Sequence, residues 1–239
     1  MILARPRATA RRLYRLLKRD RSGVAMLEFA FAMPLVLGVC CYGLETANLA
    51  LINLRISQIA LALADNASRV GSTLNPQQLR EVDVNDIFAA VRYQGKGINL
   101  TTNGRIILSS LENVQQNYDT NGAVQRIHWQ RCLGSKSGTG YDSSYGTTTT
   151  TAGTTATQAN AGTTTTGMGD ASAPVNAPDN SGVMFVEINY LTKPLFGSWL
   201  TSPARIHYVA SFIVRDKRDF AQIYPGTGAT RMTCNLYTS

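Results

Sequence analysis

The sequence contains few of the side chains from which catalytic and metal sites are built. Its 239 residues include two histidines and four cysteines, and these do not fall at metal-ligand spacing. The sequence also lacks a Gly-x-Ser-x-Gly nucleophile elbow, a Walker loop and a dinucleotide-binding fingerprint. We therefore expect a protein that is not an enzyme and that holds no metal and no cofactor. A catalytic triad built on His128 or His207 is the alternative that the sequence leaves open.

Charged residues are also few, at 16% of the chain, and positive charge is concentrated at the start. Residues 1–23 carry eight of the 23 lysines and arginines and one acid, Asp20. The rest of the chain holds 15 basic and 14 acidic residues and is nearly neutral. A nucleic-acid-binding protein more often spreads its basic residues over a folded face. We expect a basic leader on a neutral body, and no nucleic-acid partner.

A long apolar run follows the leader. The 21 residues from Val24 to Leu44 contain a single charged side chain, that of Glu28. About 20 apolar residues at 1.5 Å each cross the hydrocarbon core of a bilayer. We therefore predict a transmembrane helix over residues 24–45. A buried helix of a soluble protein rarely has so many positive charges at one end, and a cleaved secretory signal has a shorter apolar run. The positive-inside rule places residues 1–23 in the cytoplasm and the body across the membrane.

Glu28 is the unusual residue of this run. An ionisable side chain at the centre of a spanning segment costs about 2.5–3.5 kcal/mol and calls for a partner. Near the boundary it can instead extend its carboxylate to the surface. Its position alone leaves both interpretations open. Pro34 lies in the same run, where it favours a kink, and we interpret it as structural.

The sequence around Glu28 resembles a type IV prepilin cleavage site. Gly23-Val24-Ala25-Met26-Leu27-Glu28-Phe29 follows the basic leader and opens the apolar run. The resemblance implies cleavage after Gly23, which would leave Val24 as the new N-terminus and Glu28 as the fifth residue. It also implies that the Glu28 carboxylate pairs with the terminal amine of Val24, in the same or a neighbouring subunit, and sets the register between subunits. An uncut anchor remains open.

Residues 22–69 further resemble the TadE-like family of the tight-adherence pilus system. The matching features, in chain order, are Gly23, Glu28-Phe29-Ala30, Pro34 with Leu35-Val36-Leu37, Gly43-Leu44-Glu45 and Asp65-Asn66-Ala67-Ser68-Arg69. Three later patches resemble the outer domain of that family: Val183–Tyr190, Pro194-Leu195 and Ala210–Arg215. Residues 22–69 and the three patches together make up 64 of the 239 residues, somewhat more than a quarter of the chain.

This resemblance implies a minor pilin or pseudopilin that takes part in assembly of a tight-adherence (Flp, type IV-class) pilus. Its implied partners are other pilin-type subunits, the inner-membrane assembly platform, a prepilin peptidase and the lipid bilayer. The implied location is the bacterial inner membrane, crossed once, with the C-terminal domain in the periplasm. A single-pass anchor that displays a periplasmic binding or adhesive domain unrelated to pili is the second hypothesis.

Beyond the membrane the apolar residues keep helical spacing. Leu49, Ile52, Ile56, Ile59, Leu63 and Val70 follow steps of three and four, apart from the polar Asn66. We predict one helix from Val24 to about Gly71, packed on the protein's own sheet; packing on a partner's helix is the alternative.

The remaining residues, 72–239, have the pattern of an α+β domain. A helix is predicted over Pro76–Gln94. Four strands are predicted over Arg105–Leu111, Ala123–Cys132, Val183–Leu191 and Arg205–Arg215. This order favours an antiparallel sheet packed against the long helix. We interpret the run Asp216-Lys217-Arg218-Asp219 as a solvated, self-compensating end of the last strand.

A long insertion separates the two pairs of strands. Residues 134–182 number 49, of which 13 are threonine and nine are glycine. Such a segment has too little apolar surface to offset the entropy of ordering it. We therefore predict a disordered Thr/Gly-rich loop, either a tolerated surface insertion or an exposed adhesive or glycosylated region.

The four cysteines divide into two pairs. Cys40 and Cys41 lie in the predicted span and are expected to be small buried residues. Cys132 and Cys234 lie outside it, in a compartment that permits disulfides. Their pairing would close a loop of about 100 residues, worth up to about 4.7 kcal/mol in the chain-entropy model. Two free thiols are the alternative.

Overall fold

The computed structural model describes residues 13–18 and 23–238. Most of the predicted basic leader therefore lies outside the described residues, apart from a helical stretch over 13–18 and the turn at Gly23. The chain divides into two compact units, Met1–Asn48 and Leu49–Ser239, which are described separately.

A single helix, α1, runs through both units from Val24 to Arg69 and is 46 residues long. The predicted helix is thus confirmed, and it ends two residues before Gly71. The first turn is closed by the N–H of Leu27, which donates to the carbonyl of Gly23 at 3.1 Å. Pro34 lies inside the helix.

The helix predicted over Pro76–Gln94 is wrong in its first turn. A short strand, β1 (Gln77–Arg80), comes first, and helix α2 covers Glu81–Gly95. The carboxylate of Asp83 accepts a hydrogen bond from the N–H of Arg80 at 2.9 Å, which fixes the start of α2. β1 pairs in parallel with β7 (Arg218–Tyr224), a strand far along the chain. A local pattern does not reveal that pairing.

The main sheet has five antiparallel strands in the order β4-β3-β2-β5-β6. These are β2 (Gly104–Val114), β3 (Val124–Leu133), β4 (Thr163–Thr164), β5 (Ser181–Leu191) and β6 (Arg205–Ile213). A short 3₁₀ turn (Lys96–Ile98) and helix α3 (Leu100–Asn103) lead from α2 into β2. All four predicted strands are therefore confirmed, and the α+β class with them. The two-residue strand β4 was not predicted.

One apolar core joins the helices to one face of this sheet. The α1 residues Ile56, Ile59 and Leu63 are at most 2% exposed. They belong to a cluster that also contains Phe88 of α2 and Val186 of β5. The apolar stripe of α1, within the second unit, thus packs on the protein's own sheet, as the helical spacing predicted.

The disorder predicted for residues 134–182 is not shown, because this insertion covers the opposite face of the sheet. Met168 and Ala177 are buried with Phe185 of β5 in a second apolar cluster. β4 lies within the insertion and pairs with β3. Just before it, a Cβ at Gly162 would lie 2.1 Å from the carbonyl oxygen of Ile127, so only glycine fits. The sheet supplies the apolar surface that the composition of the insertion lacks.

The interpretation of residues 216–219 as a solvated charge run is wrong for Arg218. This side chain is buried, and its guanidinium donates to the carbonyl oxygens of Ala67 at 3.0 Å and Val70 at 2.8 Å. Ala67 lies in the last turn of α1 and Val70 directly follows the helix, where no further intrahelical donors are available for these carbonyls. Arg218 therefore closes the C-terminal end of the long helix.

Candidate functional site

The most exposed apolar surface of the described chain lies on the first half of α1. Met26, Phe31, Leu35 and Val39 are between 73% and 79% exposed. Among the described residues, α1 is the one helix long and apolar enough to cross a membrane, and none of its most apolar window is buried. A core helix of a soluble protein would bury such side chains. The helix thus has the length, composition and exposure of a single-pass membrane anchor.

Glu28 lies one turn into this helix. The length of the apolar segment indicates whether this residue lies within the hydrocarbon core of a bilayer. The apolar stretch after it, Phe29–Leu44, has 16 residues and is about 24 Å long at 1.5 Å per residue. A hydrocarbon core is about 30 Å thick. The 21 residues from Val24 reach about 31 Å, so the apolar length matches the core only if Glu28 is included.

The residues of the predicted cleavage site lie at the start of this helix. Gly23 forms a turn immediately before α1, and Val24, the first helical residue, is 46% exposed. A Cβ at Gly23 would meet no other described atom within 4 Å. Phe29, the neighbour of Glu28, is 63% exposed. The four predicted residues therefore share one exposed helical turn and its entry.

The two cysteines outside the apolar segment form a disulfide. Cys132 and Cys234 are bonded across a sequence separation of 102 residues, as predicted from the positions of the four cysteines. Cys40 and Cys41 are free thiols; the protein itself buries neither, since Cys40 is exposed and Cys41 is half-buried, so the burial expected for them is not found.

A buried arginine, which the sequence did not reveal, holds the chain beside the disulfide. Arg105 donates to the carbonyl oxygens of Gly134 at 2.8 Å and Leu236 at 2.7 Å. Its guanidinium also lies 4.5 Å from the centre of the Tyr237 ring. Burial lowers the pKa of Arg105. Arg105 and the disulfide together fix the C-terminal segment to the start of β2 and the end of β3.

The face of the sheet under the insertion carries a buried carboxylate. Glu187 of β5 accepts hydrogen bonds from the hydroxyl of Ser143 at 2.5 Å and the N–H of Ser144 at 3.0 Å. Burial raises the pKa of Glu187, although both hydrogen bonds favour its ionised form. The insertion thus supplies the hydrogen bonds that this buried carboxylate needs.

Neither histidine is placed as the base of a nucleophilic triad. Nδ1 of His128 lies 2.8 Å from the Glu112 carboxylate, and the hydroxyl of Ser110 bonds to the same carboxylate and not to the imidazole. His128 is fully buried. His207 contacts Asn189 at 2.7 Å and the hydroxyl of Tyr145 at 3.2 Å. The pKa of His207 is lowered, mainly by burial and to a smaller extent by the positive charge of Arg205.

A cavity of about 290 Å³ lies between the insertion and the C-terminal segment. Most of its lining residues carry a hydroxyl or amide group, among them Thr148, Gln130 and Asn235. Asp142 is the one ionisable carboxylate in its lining. Within the ranges 13–18 and 23–238, no three histidine, cysteine or acidic side chains come together as a metal site.

Comparison with known proteins adds no relative: no family model, no curated protein and no solved structure matches the chain.

Proposed function

We propose that this protein is a TadE-like minor pilin or pseudopilin that takes part in assembly of a tight-adherence (Flp, type IV-class) pilus. It is anchored once in the bacterial inner membrane by α1, with its N-terminus in the cytoplasm and its α+β domain in the periplasm. It performs no catalysis and holds no cofactor. Its partners are other pilin-type subunits, the assembly platform and the peptidase that cuts after Gly23.

The position of Glu28 is the observation that carries the proposal. The apolar segment matches the thickness of a bilayer only when this carboxylate is counted within it. A buried carboxylate is tolerated when it is paired and strongly disfavoured when it is alone. Cleavage after Gly23 would create the required partner, since the amine of Val24 would then lie four residues away or on an adjacent subunit. The resemblance of residues 23–29 to a prepilin site supports the same assignment.

The role of the Glu28 carboxylate can be tested by substitution in cells that carry the pilus-assembly genes. Glu28→Gln keeps the size of the side chain and removes its charge, so the Val24 amine of a neighbour loses its partner. We expect crosslinking of the variant to other pilin-type subunits to fall about tenfold or more, corresponding to a loss of at least about 1.4 kcal/mol. Resistance to extraction with alkaline carbonate should not change, because the segment becomes more apolar.

Phe31→Leu, on the same face of α1 one turn later, is the matched control and should crosslink like the wild type. Unchanged crosslinking of Glu28→Gln would favour the display anchor, for which the carboxylate has no role. The mass of the membrane-extracted protein reports separately on processing. A chain beginning at Val24 supports cleavage after Gly23, and an intact Met1 terminus in cells with active peptidase contradicts it.

A further inference from the structure

Two loops lie close together at one end of the second unit. The first, residues 93–99, follows α2, and its position is fixed by Arg55 of α1, whose Nε donates to the carbonyl oxygen of Gln94 at 3.2 Å. The second, residues 192–204, joins β5 to β6. Its base is closed by the N–H of Thr192, which donates to the carbonyl oxygen of Ala204 at 2.8 Å. The hydroxyl of Tyr190, at the end of β5, donates to the carbonyl of Ile98 at 2.8 Å and so joins the two loops.

The first loop exposes the aromatic side chain of Tyr93, and the second exposes those of Trp199 and, at 36%, Phe196. Tyr93 is 83% exposed and Trp199 is 76% exposed. Lys96 is exposed in the first loop and Lys193 in the second. Folding buries aromatic side chains wherever it can, because each removes a large apolar area from water. Aromatic residues exposed at the same end of a domain therefore point to a further surface that covers them.

The charge of these loops has one sign. Residues 93–103 and 192–204 contain no aspartate and no glutamate. The opposite end of the same unit differs, since Asp179 and Asp216 are exposed there. Tyrosine and tryptophan are enriched where a protein meets the headgroup region of a bilayer, and lysine there is attracted to anionic lipids. We call residues 93–99 and 192–204 the basic aromatic end.

We propose that the basic aromatic end binds the surface of an anionic lipid bilayer, with Trp199 and Tyr93 at headgroup level and Lys96 and Lys193 on lipid phosphates. Continuity of the chain favours lipid over protein. α1 passes without a break from its apolar segment into the second unit at Leu49, and six residues later Arg55 contacts the first loop. The inference rests on the membrane anchor of the proposed function. It adds that the outer domain is held against the bilayer by contacts of its own.

Tryptophan fluorescence of the full-length protein tests this inference. The protein is reconstituted in vesicles of phosphatidylcholine and phosphatidylglycerol at about 3:1, with and without bromine on the upper acyl chain. The chain has two tryptophans, and Trp129 is only 3% exposed, so the difference between the wild type and Trp199→Phe isolates the emission of Trp199. We expect bromine to quench that emission by about half or more, as for a residue at the interface.

Charge variants provide the second arm. Lys96→Glu combined with Lys193→Glu should reduce the quenching of Trp199 severalfold in anionic vesicles. Lys217→Glu, at the opposite end, should leave it unchanged. Emission that acrylamide quenches and bromine does not would overturn the inference. So would protection from both quenchers that appears only at high protein-to-lipid ratio, because that result indicates contact between protein copies.

Carbonate extraction of the same vesicles separates the two proposals. A protein that is extracted lacks the anchor, and the proposed function fails with it. A protein that is retained but whose Trp199 is not quenched loses only the present inference.

Discussion

Two buried guanidinium groups bind the main chain at the C-terminal segment and at the end of α1. Arg105 and Arg218 both donate to main-chain carbonyl oxygens, of the C-terminal segment in one case and of Ala67 and Val70 at the end of α1 in the other. Burial lowers the pKa of Arg218 to about 10. Neither contact could be predicted from the sequence. An arginine that binds carbonyls needs no acidic residue at a fixed spacing, so it leaves no pattern in the sequence.

Glu187 and His207 predict opposite effects of pH on stability. The raised pKa of Glu187 means that the folded state binds its proton more tightly than the unfolded state. Its contribution to the free energy of unfolding is therefore present below the unfolded value of 4.5 and is lost as pH rises through the folded pKa. The lowered pKa of His207 contributes above 6.5 and is lost as pH falls through its folded value.

Glu187→Gln separates the two effects. We expect the free energy of unfolding of this variant to fall more steeply than that of the wild type as pH decreases from about 7 to about 4.5, because the opposing gain from Glu187 is removed. Urea unfolding of the detergent-solubilised chain, followed by Trp129 fluorescence at several pH values, gives this slope. Asp179→Asn, an exposed site, should leave the slope unchanged. Equal slopes in Glu187→Gln and the wild type would show that Glu187 does not titrate differently on folding.

Among the helices and strands, the periodicity of apolar residues predicted the elements that are stabilised by interactions close in sequence. The helical spacing from Leu49 onward predicted the buried face of α1, and β-rich runs predicted four strands. β1 and β7 were missed because each is stabilised by the other across a long sequence separation. The disorder predicted for the insertion is not shown, for a related reason. Its composition cannot form a core, but Met168 and Ala177 need only fill the surface that Phe185 and its neighbours already present.

The end of α1 provides a test of how one element is held. Arg218→Gln removes a charged donor from the carbonyls of Ala67 and Val70 and should lower the free energy of unfolding by about 2–3 kcal/mol. Hydrogen exchange of the last turn of α1 should become faster. Arg215→Gln, an exposed neighbour, is the control and should have little effect. Unchanged exchange in Arg218→Gln would show that the helix end does not depend on this contact.

Across the molecule as a whole, the apolar helix of the proposed anchor is easier to recognise in the sequence than the α+β domain is. A run of 21 residues with one charge can be recognised without a fold. The residues that surround Glu187 come from an insertion and a strand more than 40 positions apart, so only the folded chain brings them together. Glu28 can likewise be recognised from the sequence alone. Its proposed partner cannot be found in the sequence or in the fold, since it is an amine created by processing.

The four native cysteines allow the membrane anchor to be tested directly. Cys132 and Cys234 are bonded to each other, so Cys40 and Cys41 are the two free thiols that a membrane-impermeant maleimide can report on. If α1 spans the bilayer, neither thiol should react in permeabilised membranes without denaturant, and both should react in hot SDS. A thiol introduced at an exposed turn of the outer domain by Thr120→Cys should react under both conditions. Rapid labelling of Cys40 and Cys41 before SDS is added would contradict the claim that this helix spans a bilayer.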